Sequence, residues 1–356
     1  MRNFQSWNDD YYIIHSRKAI ARQFDIPEGN LAGYQSFLIT PNGFRLDRLN
    51  YEAGKARIYP LAEREELEIR GRLNHPILSE THRDRGSIDL RGQVLGFGEK
   101  RVMAIVNLTP DSFYPPSRLD ESRLDEYFDL VRRSAVDIVD LGGESTRPGS
   151  DPVDPDEEWR RLKHPLEMAL NKGLKVSIDT YRSEVARQAL ETGAHMINDV
   201  TGLEDDEIGI LCKRYGAPLV IMHKKGDFKT MQDNPEYENV ILEILHFFYE
   251  RILKARRIGI EDNIILDPGI GFGKRVEDNL DIIRNLQEFK IGYPLMIGLS
   301  RKGFIGRIMN ENVDEREIST LIFNTLAFVS GADIVRVHDI ETSMKLKRII
   351  NELNKV

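Results

Sequence analysis

From residue 102 onward, eight short apolar runs recur: VMAIV (102–106), DIVDL (137–141), KVSID (175–179), HMIND (195–199), PLVIMH (218–223), NIILD (263–267), PLMIGL (294–299) and DIVRV (333–337). Each is rich in Val and Ile and too continuous to turn one face to water, which suits a parallel strand covered on both sides. The stretches between them, such as PEYENVILEILHFFYERILKARRIG, place apolar residues at three- and four-residue steps, the spacing of an amphipathic helix. Eight strand-then-helix units between residues 102 and 356 predict a (β/α)8 TIM barrel. An open doubly wound sheet is the structural rival. It normally has fewer strands and a Gly-rich turn after the first, and NLTPDSF is not that turn.

Residues 1–87 do not keep this rhythm. They contain a helical SRKAIARQF, a strand-like YQSFLITPNGF with a turn signal at Pro41-Asn42-Gly43, and a charged helical AEREELEIRGRL. This predicts a small N-terminal α+β extension, joined through the polar THRDRGS (81–87) to a barrel domain over 88–356. SIDLRGQVLGFGEKRVMAIVN then reads as a strand, a turn and the first barrel strand, with a ribbon closing the bottom of the barrel.

Several functions are excluded by composition. No apolar run approaches the roughly 20 residues of a spanning helix, and MRNFQSWNDDYY has no signal-peptide core, so a cytoplasmic protein without membrane attachment is expected. A net charge of -8 and the lack of a basic stripe argue against nucleic acid as a partner. The single cysteine, Cys212, excludes an intrachain disulfide and a Cys-rich zinc site, and reads as a buried structural thiol. Residues 1–100 carry 15 Lys and Arg against 14 Asp and Glu, so the remainder carries 35 against 44. An anionic ligand would therefore need cations placed locally.

In such a barrel the C-terminal strand ends line the site. Those positions hold Asn107, the Gly142–Gly149 segment with Thr146 and Arg147, Asp179, Asn198 and Asp199, His223, Asp267 with the following GIGFGK, Ser300-Arg301-Lys302, and Arg336 with His338. An Asp or Asn at a strand end can equally be a helix cap. Polar residues at all eight mouths are harder to dismiss, because the strand interiors read as almost purely apolar. Asp179, Asn198 and Asp267 suit a flat heterocycle with several N–H donors and a carbonyl. Lys302, Arg336 and His338 come from the last two units, where barrels often hold phosphate. Arg336 and His338, two apart on one strand, face the same way.

Taken in order, NLTPDSF, GGESTRPGS, SIDTYRSEVA, INDVTG, DPGIGFGK, GLSRKGFIG and VRVHD resemble the dihydropteroate synthase family over roughly residues 88–350. The resemblance implies an enzyme, a transferase joining 6-hydroxymethyl-7,8-dihydropterin pyrophosphate to p-aminobenzoate in folate biosynthesis, with Mg2+ as cofactor. By the same resemblance, Asp179, Asn198, Asp267 and Lys302 would hold the pterin ring. Asn107, Arg336 and His338 would bind the pyrophosphate, with Asn107 also reaching Mg2+. Thr146 and Arg147 would lie on a mobile loop, Phe272 and Lys302 would form the aminobenzoate pocket, and Ser300 would sit beside it. Asp179, Asp267, Lys302, Arg336 and His338 would be the catalytic set. No Ser–His–Asp set or activated Cys suggests a covalent intermediate.

The chain departs from the family pattern at Tyr114-Pro115-Pro116-Ser117-Arg118, at the basic Lys224-Lys225 after His223, and at Gly303 where Ser is common. A pterin-binding methyltransferase barrel and a non-catalytic pterin- or phosphate-binding paralogue are the alternatives; the first has no use for the pyrophosphate cations. ISTLIFNTLAFVSGADI is unusually apolar for a barrel exterior and, with the resemblance, points to a homodimer through the last helices.

Overall fold

The computed structural model describes residues 12–14, 36–41, 51–53, 56–61, 86–108, 121–145 and 152–355. In the first 61 residues, β1 (Tyr12–Ile14), β2 (Ser36–Pro41), β3 (Tyr51–Ala53) and β4 (Ala56–Leu61) pair antiparallel in the order β1-β2-β4-β3. β2 falls inside the expected strand, whereas β1, β3 and β4 have no counterpart in the sequence pattern. The helices expected at SRKAIARQF and AEREELEIRGRL, and most of the expected linker, lie outside the described residues.

The next element is a two-stranded ribbon, β5 (Ser87–Asp89) and β6 (Val94–Gly96). Eight parallel strands follow: β7 (Arg101–Asn107), β8 (Ile138–Gly142), β9 (Val176–Asp179), β10 (Met196–Asp199), β11 (Leu219–Met222), β12 (Ile264–Asp267), β13 (Met296–Ile297) and β14 (Ile334–Val337). All eight predicted runs are present. They form one sheet in the order β12-β11-β10-β9-β8-β7-β14-β13, and a parallel bridge between Leu266 and Leu295 joins its two edges. The result is a (β/α)8 barrel. Its described helices are α1 (Glu121–Arg133), α2 (Pro155–Asn171), α3 (Ser183–Thr192), α4 (Asp206–Tyr215), α5 (Val240–Ile258), α6 (Val276–Arg284), α7 (Gly303–Met309), α8 (Glu317–Val329) and α9 (Ile340–Leu353). None is long and apolar enough to cross a membrane.

Alternation along each strand divides the core in two. Val102, Ala104, Val139, Leu141, Val176, Ile178, Ile197, Leu219 and their equivalents face outward and pack under the helices. Met103, Ile138, Met196, Val220, Ile265, Met296 and Ile334 face inward as a second cluster, sealed from below by Ile88, Leu90 and Leu95 of the ribbon. Burying each of these large side chains stabilises the fold by about 1.5–3 kcal/mol. The ribbon is held in register by reciprocal 2.8 Å bonds between Asn263 and the Asp89 backbone, and by Arg91, which donates to the Leu190 and Ala194 carbonyls. The bottom is thus closed as expected, and each strand's next inward position lies one step nearer the mouth.

Candidate active site

That next step is where polarity begins. The inward series continues from Ile138 to Asp140 and Gly142 on β8, from Ser177 to Asp179 on β9, from Met196 to Asn198 on β10, from Ile265 to Asp267 on β12, and from Ile334 to Arg336 on β14, with His338 just past its end. Pairing places Asn107 beside Gly142, Gly142 beside Asp179, and Asp179 beside Asn198. The strand interiors are therefore not purely apolar, which corrects the expectation that polar residues stop at the rim. Asp140 and Ser177 are fully buried inside the barrel.

Asp140 is the residue that sequence reasoning missed. Its Oδ2 accepts from Arg336 Nε at 2.6 Å and from Asn198 Nδ2 at 3.0 Å. A second guanidinium nitrogen of Arg336 donates to Asp179 Oδ2 at 2.6 Å. Arg336 is thus oriented by the ring-side carboxylates. Burial opposes its charge, but Asp140 and Asp179 outweigh it and hold its pKa above the ordinary value. The reverse applies to Asp179: burial raises its carboxyl pKa to about 7, against the pull of Arg336 and with the repulsion of Asp140. Asp267 is also shifted upward by burial, opposed by a 2.7 Å bond from the Gly269 N–H and by the Lys302 ammonium. Asp140 Oδ1, Asp179 Oδ1 and Asn198 Oδ1 are buried acceptors with no hydrogen-bond partner among the described residues. Such groups are costly unless a donor arrives.

The other predicted positions divide by use. Lys302 stands at the N-cap of α7 without spending its side chain on the cap, and its ammonium lies 4.3 Å from the centre of the Phe272 ring. Arg301, in a left-handed conformation, turns away and pairs with Glu317 of α8 at 2.8 Å. Ser300 Oγ accepts from the His338 N–H at 3.3 Å and lies 3.0 Å from His338 Nδ1, so its hydroxyl orients the imidazole. Asp199 closes the turn after β10: its carboxylate takes the Thr201 N–H, the Thr201 hydroxyl and the Leu203 N–H. Thr146, Arg147 and the 114–118 departure lie outside the described residues. The start of the loop carrying Thr146 and Arg147 is anchored, because Glu144 accepts from Tyr181 Oη at 2.8 Å and from Arg182, which also bonds buried Glu158 of α2.

The extra basicity after β11 is satisfied internally. Lys224 pairs with Glu204 at 3.1 Å, and Lys225 pairs with Glu243 at 2.8 Å while covering the Tyr237 ring at 4.1 Å. His223 and Cys212 are both buried; burial holds the His223 pKa well below, and the Cys212 pKa above, its ordinary value. Neither is poised as an exposed acid or nucleophile.

As an assembly, the mouth offers buried carboxylate and amide acceptors, the Arg336 and Lys302 cations among them, and the face of the Phe272 ring. That can grip a planar donor-rich ring and stabilise negative charge leaving from its edge. Residues 103–338 match the family of pterin binding enzymes. The chain is similar to the dihydropteroate synthase of Synechocystis sp. (strain ATCC 27184 / PCC 6803 / Kazusa), with 41% identity over 272 residues, covering 74% of this chain and 93% of that one. Two crystal structures of dihydropteroate synthase from Thermus thermophilus share the fold, each covering 75% of this chain and 99% of theirs. One is in complex with 4-aminobenzoate (TM-score 0.68, 36% identity) and the other with 6HMPPP (TM-score 0.66, 34% identity).

Proposed function

The chain belongs to the dihydropteroate synthases, within the pterin binding enzymes, and from that premise we propose how its own residues share the work. The reaction condenses the dihydropterin pyrophosphate with p-aminobenzoate to give dihydropteroate and pyrophosphate. A C–N bond forms at the exocyclic carbon, the C–O bond breaks, pyrophosphate leaves with the electron pair, and the amine nitrogen gives up a proton.

Asp179, Asn198 and Asp267 take the N–H groups of the pterin, with Lys302 at its carbonyl edge. The observation that carries this reading is the set of unmatched oxygens on Asp140, Asp179 and Asn198, all buried beside Arg336. An aromatic amine needs little help from a base, so the protein's task is alignment and stabilisation of the departing charge. Arg336 and His338 supply that charge stabilisation, with Asn107, Thr146 and Arg147 on the pyrophosphate side. Phe272 and Lys302 hold p-aminobenzoate with Ser300 beside them, and the Ser300 hydroxyl also orients His338 on the pyrophosphate side. Departure of pyrophosphate runs ahead of C–N bond formation, because the pterin delocalises the cation left behind.

Mg2+ fits this mouth only as a companion of the substrate. Among the described residues no group of three His, Cys, Asp or Glu could cage a metal. Asn107 Oδ1 is a hard oxygen donor, 3.7 Å from where a Cβ on Gly142 would stand, so Gly142 leaves space there. Mg2+ is commonly held by one or two protein oxygens plus substrate phosphates. When bound, it would neutralise the pyrophosphate, with Asn107 as its protein ligand.

We further propose a homodimer. Ile318, Ile322, Leu326 and Val329 form an exposed stripe along α8, with Ile318 and Val329 more than 70% exposed, and a second copy would cover it. A charged pyrophosphate substrate supports action in the cytoplasm, where it would be made. Residues 1–87 are proposed as a separate extension with a structural role, so deleting residues 1–86 is expected to leave turnover intact.

The deciding assay combines the dihydropterin pyrophosphate with p-aminobenzoate, with and without Mg2+, and follows dihydropteroate. Wild type should form product. Asp179→Ala and Lys302→Ala should each lose about 1.5–3 kcal/mol of transition-state stabilisation, roughly ten- to hundredfold. Binding without turnover, or equal product from all three, would overturn the assignment.

A further inference from the structure

One buried cation has no place in the chemistry above. Lys274 is only 1% exposed, the single lysine among the fully buried side chains described. Its Nζ lies 2.9 Å from His223 Nδ1, 3.3 Å from the His223 carbonyl oxygen and 3.1 Å from the Phe272 carbonyl oxygen. A lysine ammonium has three donors and no acceptor, and here it meets three acceptors, provided His223 carries its proton on Nε2. Burial lowers the Lys274 pKa to about 7, with the Asp267 carboxylate opposing, Lys302 reinforcing, Asp278 opposing and Lys225 reinforcing. A leucine or methionine would fill such a place without the cost of burying a charge.

What the side chain ties together is specific. Its loop, Pro268 to Lys274, lies directly against the end of β11. A Cβ on Gly269 would overlap the His223 carbonyl oxygen, and one on Gly273 would overlap that of Lys225; both glycines have positive φ. Tyr237 Oη also donates to the Gly273 carbonyl at 2.7 Å, and Gly271 is bonded by Gln232 and Asn279. Phe272 sits between these pins, its carbonyl on Lys274 and its ring under Lys302.

We propose that Lys274 is a positioning residue for the aminobenzoate side of the site, acting through Phe272 by fastening that residue's backbone to the end of β11. The inference rests on the reading of the reaction given above. Lys274 touches neither substrate. Its loss should therefore relax one pocket and spare the other.

The test is steady-state kinetics on full-length protein. Wild-type formation of dihydropteroate examines the functional reading by itself. In Lys274→Met, which keeps length and apolar bulk, KM for p-aminobenzoate should rise about tenfold while KM for the pterin pyrophosphate stays within about twofold. Phe272→Ala should raise the same KM, and adding Lys274→Met to it should change that KM less than about twofold, since both act through one group. Equal rises in both KM values, wild-type values in Lys274→Met, or multiplying effects in the double variant would overturn the proposal. If Lys274→Met fails to fold, Tyr237→Phe removes another pin of the same loop while keeping the ring. It should raise KM for p-aminobenzoate about threefold and spare the pterin pyrophosphate; no change, or equal change in both, would overturn the proposal.

Discussion

Replacing Asp140 by Asn preserves shape and one acceptor but removes the charge that grips Arg336. Two bonds converge on Asp140 Oδ2, 2.6 Å from Arg336 Nε and 3.0 Å from Asn198 Nδ2. An asparagine oxygen can still accept from the guanidinium, so the loss is that of charge assistance, about 1.5–3 kcal/mol. A partial offset comes from the removal of a carboxylate that repels Asp179. The variant should therefore be destabilised by about 1–2 kcal/mol in urea unfolding. Asp140→Ala leaves the guanidinium with Asp179 alone and should cost about 3–5 kcal/mol, the range for breaking a buried pair. Catalysis should fall at least as far as stability, because in Asp140→Asn the guanidinium keeps one charged anchor and one weaker neutral one, and displacement of about 1 Å costs about a hundredfold. We expect kcat/KM for the pterin pyrophosphate to drop about thirtyfold or more in Asp140→Asn, measured as initial rates of dihydropteroate formation beside urea melts. A variant that melts and turns over like wild type would show that Arg336 does not depend on Asp140, and the argument for an internally gripped guanidinium would fail.

Three other outcomes follow from the geometry. Burial raises the Asp179 pKa to about 7 from an unfolded value near 4; between these, the folded state binds the extra proton, so this group's stabilisation is full below about pH 4 and lost as pH rises through about 7. Urea melts of the ligand-free protein at about pH 5 and about pH 7.5 should differ less in Asp179→Asn than in wild type; equal differences would count against the shift. Gly269→Ala would drive a Cβ into the His223 carbonyl oxygen in a left-handed backbone, with an expected cost of roughly 3 kcal/mol or more, and a wild-type melting curve would contradict it. Ile322→Glu, on the exposed stripe of α8, should leave the barrel folded and yield monomer in light scattering, whereas a wild-type protein that is itself monomeric at micromolar concentration would remove the proposed dimer.

The barrel was legible because its signal is additive: eight Val- and Ile-rich runs, each separated by helical spacing, leave few alternatives. Most of the site was legible for a related reason, since strand ends in a parallel barrel share one mouth. Asp140 escapes a reading that treats the apolar runs as featureless. Two-residue alternation counted from Ile138 places it inward, one step below Gly142, and the same count places Ser177 below Asp179. Arg336 stands out in the sequence but its surroundings do not, because its partners Asp140 and Asp179 are 196 and 157 residues away in the chain, and no local pattern reports such a contact. Lys274 looks like the tail of a glycine turn, since its burial depends on how closely that turn lies on β11. In the first 61 residues, short strands such as β1 and β3 have only three residues each, too few for periodicity to register.

The plug formed by Ile88, Leu90 and Leu95 has an evolutionary reading. It lets the lower half of seven of the eight strands be held to shape by hydrocarbon packing, while the upper half contains charge gathered around Arg336. Changes in what the enzyme accepts can then accumulate at those mouth positions that do not hold Arg336, with the hydrocarbon-packed lower barrel left in place.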